Sequence, residues 1–217
     1  MARSILRQPL SDQLAASAAR MRAVRDRLLL PEAVSGADQW QRVPLNDAVR
    51  HHIESLDPPS RTAAEISGDA QAGHAWKSFT SLNYPDFDLC APLRELGSYD
   101  VVICEQVIEH VVDPRAAAEN LRRLCTPGGH VIVSTPFLIR VHELPMFGMH
   151  DYWRFTPRGL RTLLEQAGLV VDTVGSWGNR SCVVLNFDRW PAYRRWQSLR
   201  NEPDLPVQVW AFAHTPT

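Results

Sequence analysis

The sequence lacks a strong excess of charge of either sign. Its 217 residues carry 23 Lys and Arg against 24 Asp and Glu, a formal net charge of -1 at pH 7, and Lys77 is the only lysine. A nearly neutral chain has no strong overall field with which to hold nucleic acid or an anionic membrane surface. We therefore expect neither nucleic acid nor a membrane among its partners.

Long apolar runs and closely spaced cysteines are also missing. No stretch approaches the ~20 apolar residues of a membrane-spanning helix, and charged residues at positions 3, 7 and 12 interrupt any signal-peptide core. The chain has four cysteines, Cys90, Cys104, Cys125 and Cys182. Their spacing excludes paired zinc motifs and a compact disulfide framework. The sequence predicts a protein of the reducing cytoplasm.

Short apolar runs separated by helical segments are the main structural pattern. With 45% hydrophobic residues, the chain can bury the core of one ordinary domain. Apolar runs of this kind are typical of strands buried on both faces of an α/β sheet. We predict strands at residues 62–66, 78–84, 99–104, 130–134, 169–174 and 207–212. Helices are predicted at residues 116–125 and after the N-cap Thr156, as far as Gly168.

Two further helices are predicted before the first strand. Residues 11–30 are amphipathic, and Leu45, Val49, Ile53 and Leu56 recur at helical spacing before a pair of prolines. We expect residues 1–60 to form an N-terminal helical cap on one compact domain of residues 61–217. The cap either covers the sheet or acts as a lid or subunit contact. A monomer and a homodimer are both compatible with the sequence.

Three motifs occur in a fixed order after the first two strands. They read DVVICEQVIEHVVDP at residues 100–114, LCTPGGHVIVSTPF at 124–137 and LLEQAGL at 163–169. In this order and spacing they resemble the class I S-adenosylmethionine-dependent methyltransferases, over residues 62–175. The resemblance implies a single Rossmann-like, doubly wound sheet of about seven strands whose last strand, at residues 207–213, is antiparallel. It also implies a methyltransferase with S-adenosyl-L-methionine as cofactor.

The expected cofactor loop departs from the family pattern. In place of an acid followed by a glycine-rich turn, the chain has Glu65-Ile-Ser67-Gly68-Asp69, where Gly68 remains available for close backbone approach to a ligand. By resemblance, Asn83 replaces the acid that bonds the ribose, and Asp88 lies where the family contacts adenine. The implied cofactor-binding residues are Glu65, Ser67, Gly68, Asn83, Asp88, Glu105 and Gln106. The alternative interpretation of Glu65 and Asp88 is that they are solvated loop acids.

The end of the third predicted strand is polar. Glu105 ends a buried run, where a charge without a partner is costly. Gln106 and His110 are four residues apart, so on a helix they would share one face, and in the family this face borders the methyl donor. His110 is therefore a candidate substrate-binding residue, or alternatively a surface histidine with a satisfied hydrogen bond.

The loop after residue 137 carries the candidate catalytic residues His142, Glu143, His150 and Asp151. Methyl transfer to oxygen requires removal of the hydroxyl proton, and a histidine suits that task at neutral pH. Asp151 is expected to orient an imidazole, with Glu143 beside it, while Arg154 either binds substrate or pairs with Asp151. The same collection could hold Mg²⁺ through oxygen donors, although no fixed metal spacing is present.

Aromatic side chains interleave with these polar groups. Tyr152, Trp153 and Trp177 suit a sugar, whose C–H faces stack on rings, and core packing is the alternative. The whole pattern resembles small actinobacterial sugar O-methyltransferases of the methylmannose polysaccharide type. We therefore expect an O-methyltransferase acting on a small molecule, most simply a sugar or oligosaccharide. The alternatives are N- or C-methylation of another metabolite and a binding module without catalysis.

Overall fold

The computed structural model describes residues 17–21, 39–93, 97–143, 148–187 and 190–217. Its helices are α1 (Arg42–Ser55), α2 (Pro114–Leu124), α3 (Pro157–Gln166) and α4 (Arg180–Asn186), with one 3-10 turn at Pro58–Ser60. Residues 17–21 are also helical, and the rest of the helix predicted at residues 11–30 lies outside the described residues. None of the described helices combines the length and apolar character needed to cross a membrane.

A six-stranded mixed sheet forms the centre of the molecule. Its strands are β1 (Thr62–Ile66), β2 (Ser78–Leu82), β3 (Tyr99–Glu105), β4 (Cys125–Pro136), β5 (Val170–Trp177) and β6 (Gln208–His214). They lie in the order β2-β1-β3-β4-β6-β5, and β6 is antiparallel to both of its neighbours. The predicted α/β class and the antiparallel last strand are confirmed. The described residues form six strands, against the expected number of about seven.

Helices cover both faces of this sheet. Successive side chains of a strand point to opposite faces, so Val102 and Cys104 pack with α2 and α3, whereas Val101 and Ile103 pack with α1. Helix α1 buries Leu45, Val49 and Ile53, as their spacing predicts. The result is the three-layer, doubly wound arrangement that near-continuous apolar strands require.

Capping residues mark the starts of α2 and α3; the Thr156 cap is as predicted, whereas α2 begins at Pro114, two residues before its predicted start. Asp113 accepts hydrogen bonds from the backbone N–H groups of Arg115 and Ala116 at the start of α2. Thr156 accepts one from the N–H of Gly159 at the start of α3, and each cap is followed by proline, whose missing N–H costs nothing there. Both helix starts follow from local chemistry.

The connection from β1 to β2 is shorter than the helical connection that usually joins two parallel strands of a doubly wound sheet. Residues 67–77, all of which the structure describes, form turns without a helix. The chain therefore returns directly to the sheet edge. This leaves the carboxyl ends of β1, β2 and β3 open on one side.

A pair of histidines is packed at the opposite end of the sheet. His52 of α1 stacks on Phe212 with ring centroids 3.9 Å apart and an interplanar angle of 1°, and His130 meets His52 edge-on at 6.2 Å. Burial lowers the pKa of His52, helped by His130 and opposed by Asp172. Burial also lowers the pKa of His130, helped by Arg61 and His214.

We expect these histidines to make folding sensitive to acid. Because their pKa values are lower in the folded than in the unfolded state, stability is lost as the pH falls through the unfolded value of about 6.5. His52→Phe retains the stacked ring and cannot take up a proton. In urea unfolding at pH 8 and pH 5, this variant should lose less stability than the parent. His51→Phe, an exposed control on the same helix, should lose as much as the parent, and equal losses for His52→Phe would contradict this account.

Candidate functional site

An open cleft of about 570 Å³ lies at the carboxyl ends of β1, β2 and β3. Six of the residues predicted for the site line it: Ser67, Asn83, Asp88, Gln106, His110 and Tyr152. The remaining lining residues are Tyr84, Phe87, Leu89, Cys90, Val107, Val111, Val112, Gly148 and Met149. The cleft thus combines apolar and aromatic walls with a few polar groups, as small-molecule sites do, at the sheet edge where open α/β folds bind ligands.

Two residues that line the cleft have left-handed backbone conformations. Ser67 directly follows β1 with φ of 53°, and Gln106 directly follows β3 with φ of 56°. Their N–H groups donate to the carbonyls of Leu82 and Ser134, both at 2.8 Å. Positive φ is uncommon for residues other than glycine and is concentrated at functional sites, where the surrounding structure holds it in place. The backbone therefore turns sharply at two adjacent strand ends.

Glu65 is used within the protein to shape the first loop. Its carboxylate is 2% exposed and accepts hydrogen bonds from the N–H groups of Ala70 and Gln71, at 3.2 and 2.9 Å. Burial raises the pKa of Glu65, and the bond from Gln71 opposes that change. A Cβ atom on Gly68 would lie 2.8 Å from Glu65 Oε1. A side chain at position 68 would therefore displace the Glu65 carboxylate, and neither residue lines the cleft.

The Glu105 carboxylate, at the end of buried strand β3, is paired with polar and charged side chains. Its Oε1 accepts from the side-chain amide of Gln71 at 2.6 Å, and its Oε2 lies 3.8 Å from a guanidinium nitrogen of Arg42. Ser134 Oγ lies 3.5 Å from the same Oε2. These contacts connect α1, β3, β4 and the first loop behind the cleft. Glu105 itself does not line the cleft.

Gln106 and His110 do not share a helix face, contrary to the prediction. Residues 106–113 form turns, because Asp113 caps α2 and Pro114 begins it. The Gln106 amide donates to Gln208 Oε1 at 2.8 Å and to Ser134 Oγ at 3.2 Å, which ties β3 to β4 and β6. Both residues nevertheless line the cleft.

His110 belongs to a buried polar group with Glu109 and His142. Its Nδ1 lies 2.7 Å from the backbone oxygen of His150, which can only accept, so Nδ1 carries the hydrogen and Nε2 carries the lone pair. Nε2 lies 3.8 Å from Glu109 Oε1. Glu109 is fully buried and burial raises its pKa to about 8. The rings of His110 and His142 meet edge-on with centroids 4.9 Å apart.

Asp151 is occupied by an ion pair. Its side chain is fully buried and bonded by both terminal guanidinium nitrogens of Arg154, and it accepts from the N–H of His142 at 2.8 Å. Burial alone would raise the pKa of Asp151, but the bonds from Arg154 and His142 outweigh it and lower the pKa. Arg154 therefore pairs with Asp151, which is one of the two roles expected for it from the sequence.

The other predicted loop residues lie away from the cleft lining. His150 Nδ1 is 3.9 Å from Glu143 Oε2, and both side chains are nearly half exposed. None of His142, Glu143, His150 and Asp151 lines the cleft. Their catalytic roles remain predictions.

Of the predicted aromatic residues, Trp177 packs in the core, Trp153 lies outside the cleft lining and Tyr152 lines the cleft. Trp177 is 4% exposed, belongs to the core on the α1 face and donates to the carbonyl of Leu199 at 2.9 Å. The prediction that Trp177 binds substrate is therefore corrected, because its ring faces the core. Trp153 donates to the carbonyl of Val111 at 2.8 Å and is 40% exposed outside the cleft lining, whereas Tyr152 lines the cleft.

Several residues in and around the cleft carry no clear sequence signal. Glu109 is an acid in a turn, yet it is fully buried and its Oε2 accepts a hydrogen bond from Thr135 of β4. Arg42 precedes the apolar stripe of α1, so its place in the sequence predicts a solvent-exposed helix residue. Tyr84 and Met149 come from loops without periodicity. For the group of Glu109, His110 and His142, the available sequence signal is that Glu109 and His110 are adjacent.

The chain belongs to the methyltransferase domain family, whose sequence pattern matches residues 19–174. It is 37% identical over 131 residues to a ubiquinone biosynthesis O-methyltransferase of Cupriavidus pinatubonensis, covering 54% of this chain and 53% of that protein. A protein of the same name from Coxiella burnetii is 29% identical over 121 residues, covering 49% and 52%. The chain thus spans about half the length of these curated relatives.

Solved structures support the same fold. A methyltransferase in complex with the Haloferax volcanii Trm112 methyltransferase activator gives a TM-score of 0.54 at 15% identity, covering 97% of this chain and 100% of that one. The N-methyltransferase NodS of Bradyrhizobium japonicum, with bound S-adenosyl-L-homocysteine, gives 0.51 at 12% identity, covering 83% and 90%. An S-adenosylmethionine-dependent methyltransferase of Mesorhizobium loti gives 0.53 at 13%, covering 76% and 96%. The fold is that of S-adenosylmethionine-dependent methyltransferases.

The left-handed conformation of Ser67 gives a test of the cleft lining. Glycine adopts this conformation freely, whereas a β-branched residue in it is strained by about 1–2 kcal/mol. Ser67→Val should therefore be less stable than Ser67→Gly by roughly that amount in urea unfolding. At Ser81, an exposed position within β2, the order should reverse, because valine favours strands over glycine. The same order at both positions would exclude the backbone explanation.

Proposed function

We propose that this protein is an S-adenosylmethionine-dependent O-methyltransferase that methylates a hydroxyl group of a small molecule. The supporting observation is the open cleft at the ends of β1, β2 and β3, with Asn83, Asp88 and Gln106 along it and His110 in its wall. Membership of the methyltransferase domain family is consistent with this activity. The names of the curated relatives favour oxygen as the acceptor atom over nitrogen or carbon.

The cleft residues fit S-adenosylmethionine in a modified way. Asp88 stands between Phe87 and Leu89 on the lining, so one segment offers a carboxylate for an amino group and apolar surface for an aromatic base. Asn83 offers an amide for hydroxyl and carboxylate groups, whereas Gln106 offers only its side-chain oxygen for a hydroxyl, because its amide N–H groups already bind Gln208 and Ser134. The loop after β1 has fewer free N–H donors for the cofactor, because the N–H groups of Ala70 and Gln71 already bind Glu65. When bound, the cofactor supplies a methyl group on a positively charged sulfur.

The protein's own task is to align and activate the acceptor hydroxyl. In this proposal His110 lies beside the acceptor, because it is the imidazole in the cleft lining, and Glu109 and His142 support it from behind. His142 and Asp151, proposed from the sequence as proton-handling residues, would act through His110, since Asp151 is bound to Arg154. Alignment of reactants is itself worth several kcal/mol.

An aromatic ring with a hydroxyl is the acceptor class that we favour. The curated relatives are named for ubiquinone biosynthesis. Phe87, Tyr84, Tyr152 and Met149 give the cleft the apolar and aromatic surface on which a phenol packs. A saccharide is the second candidate, since the Tyr84 and Tyr152 rings are 60% and 47% exposed at the cleft and are available for stacking.

The cofactor assignment predicts a specific loss on changing Asp88. A lost hydrogen bond to a charged group costs ~1.5–3 kcal/mol, so Asp88→Ala should weaken S-adenosyl-L-homocysteine binding about tenfold or more in calorimetry. Asp86→Ala makes the same change at an exposed residue two positions away that does not line the cleft, and should bind as the parent does. Absence of binding by the folded parent would refute the proposed function, and equal binding by Asp88→Ala would refute the assignment of Asp88.

The acceptor assignment is tested by methyl transfer. Mass spectrometry should detect transfer from S-adenosylmethionine to members of a panel of catechols and phenols, with mono- and oligosaccharides and amines as the competing classes. His110→Ala should lower turnover by about a hundredfold or more, as loss of a positioned catalytic group does, while S-adenosyl-L-homocysteine affinity stays within a few-fold. If His150→Ala had that effect and His110→Ala did not, activation would belong to the exposed loop instead.

A further inference from the structure

We propose that Glu109, His110 and His142 bind one divalent transition-metal ion, of the Zn²⁺, Fe²⁺ or Mn²⁺ class, in the wall of the cleft. One ligand atom from each residue lies within 4.8 Å of the others. Glu109 and His110 come from the turn after β3, and His142 comes from the loop after β4. Around an ion with metal–ligand bonds of about 2.0–2.2 Å, the ligand atoms lie closer to one another than 4.8 Å. Small side-chain rotations therefore complete the site.

The unpartnered carboxylate oxygen of Glu109 is the first observation behind this site. Glu109 is 0% exposed, and Thr135 Oγ1 donates to its Oε2 at 3.2 Å. Oε1 has no hydrogen-bond partner among the described residues and faces His110 Nε2. A buried carboxylate is costly unless it is paired or bound to a metal. A cation held between Oε1 and the two imidazoles removes that cost.

The groups behind the two imidazoles are the second observation. The backbone oxygen of His150 holds His110 Nδ1–H, which leaves the lone pair on Nε2, 3.8 Å from Glu109 Oε1. Asp151 Oδ2 lies 3.0 Å from His142 Nδ1, although without good hydrogen-bond geometry, and Arg154 holds Asp151 in place. Metal-binding histidines commonly have a carbonyl or carboxylate on their second nitrogen, which fixes the ring and its tautomer. Both histidines have such a group here.

The donor set favours a transition metal over magnesium. Two imidazoles and one carboxylate suit zinc, iron or manganese, whereas Mg²⁺ prefers oxygen ligands and retains its waters. The Mg²⁺ site expected from the loop residues does not fit, because Asp151 is occupied by Arg154. Glu143 and His150 lie 3.9 Å apart near the surface and form no cluster with His142 and Asp151 that could hold a metal.

The location of the ion suggests its task, and this step rests on the proposed function. Three protein ligands leave at least one position open, as catalytic metal sites do, and His110 lines the cleft. An acceptor with two neighbouring oxygens, such as a catechol, would bind there and lose its hydroxyl proton to water more readily. The O–CH₃ bond then forms as the S–CH₃ bond breaks, and sulfur keeps the electron pair as a neutral thioether.

Metal binding can be measured without activity. The full chain, freed of metal with EDTA, is titrated by calorimetry with ZnCl₂, MnCl₂ and MgCl₂, and with CoCl₂ followed by visible absorbance. We expect about one equivalent of Zn²⁺ to bind, Co²⁺ to give the spectrum of imidazole ligation, and Mg²⁺ to bind at least tenfold more weakly. No binding of Zn²⁺, Mn²⁺ or Co²⁺ by the folded parent would overturn the proposal.

Variants separate this site from other donors. Glu109→Gln keeps the shape of the side chain, and His142→Ala removes a ligand from a loop without changing the sheet. Each should weaken Zn²⁺ binding at least tenfold, whereas Glu143→Gln and His150→Ala should leave Zn²⁺ binding within twofold of the parent. The reverse pattern would overturn the assignment in favour of the exposed loop. Circular dichroism checks that each variant is folded, and the Co²⁺ spectrum of Glu109→Gln reports ligand loss independently of affinity.

Activity assays then separate the role of the ion in methyl transfer from the existence of its binding site. If the EDTA-treated protein methylates a catechol as fast as the Zn²⁺- or Mn²⁺-loaded protein, the proposed function stands and the metal's part in it fails. If the ion binds as described but no acceptor is methylated, the site stands and the proposed function fails.

Discussion

Burial of β3 on both faces is the constraint on which the rest of the structure depends. Val101, Val102, Ile103 and Cys104 are all 0% exposed, so helices must cover the strand on each side. The chain can become polar only where it leaves the core, at Glu105 and Gln106. Because neighbouring parallel strands end at the same edge, the ends of β1, β2 and β3 converge there. The cleft is a consequence of how the sheet is buried.

Polar groups at this edge are held by charge compensation from outside the sheet. Arg42 lies at the start of α1, and its electrostatic partners are Glu105, Glu109 and Glu65. Burial lowers the pKa of Arg42, while these carboxylates oppose that change. The helix that covers one face of the sheet therefore also contributes the cation that stabilises the strand ends. Glu109 Oε1 lacks a hydrogen bond among the described residues, and this is the group that we assign to a metal ion.

Local chemistry explains why much of the fold was predictable. The buried runs of β1, β3 and β4, the caps Asp113 and Thr156, and the stripe of α1 each follow from a few neighbouring residues. Gln106 and His110 have the i, i+4 spacing of a helix face, yet residues 106–113 form turns. A proline at the next helix start and its capping aspartate decide that segment instead. Capping signals outweigh periodicity over so short a stretch.

The sequence alone determined the α/β class and a polar site at the strand ends, since these depend on short-range patterns of burial and charge, whereas the antiparallel last strand followed only from the family resemblance. Only the tertiary structure decided which polar residues meet. It turned Trp177 into the core and brought Glu109 and His110 beside His142, more than thirty positions along the chain. Those contacts join separate loops, whose courses depend on the packing of the strands that they leave. No spacing within a single segment encodes them.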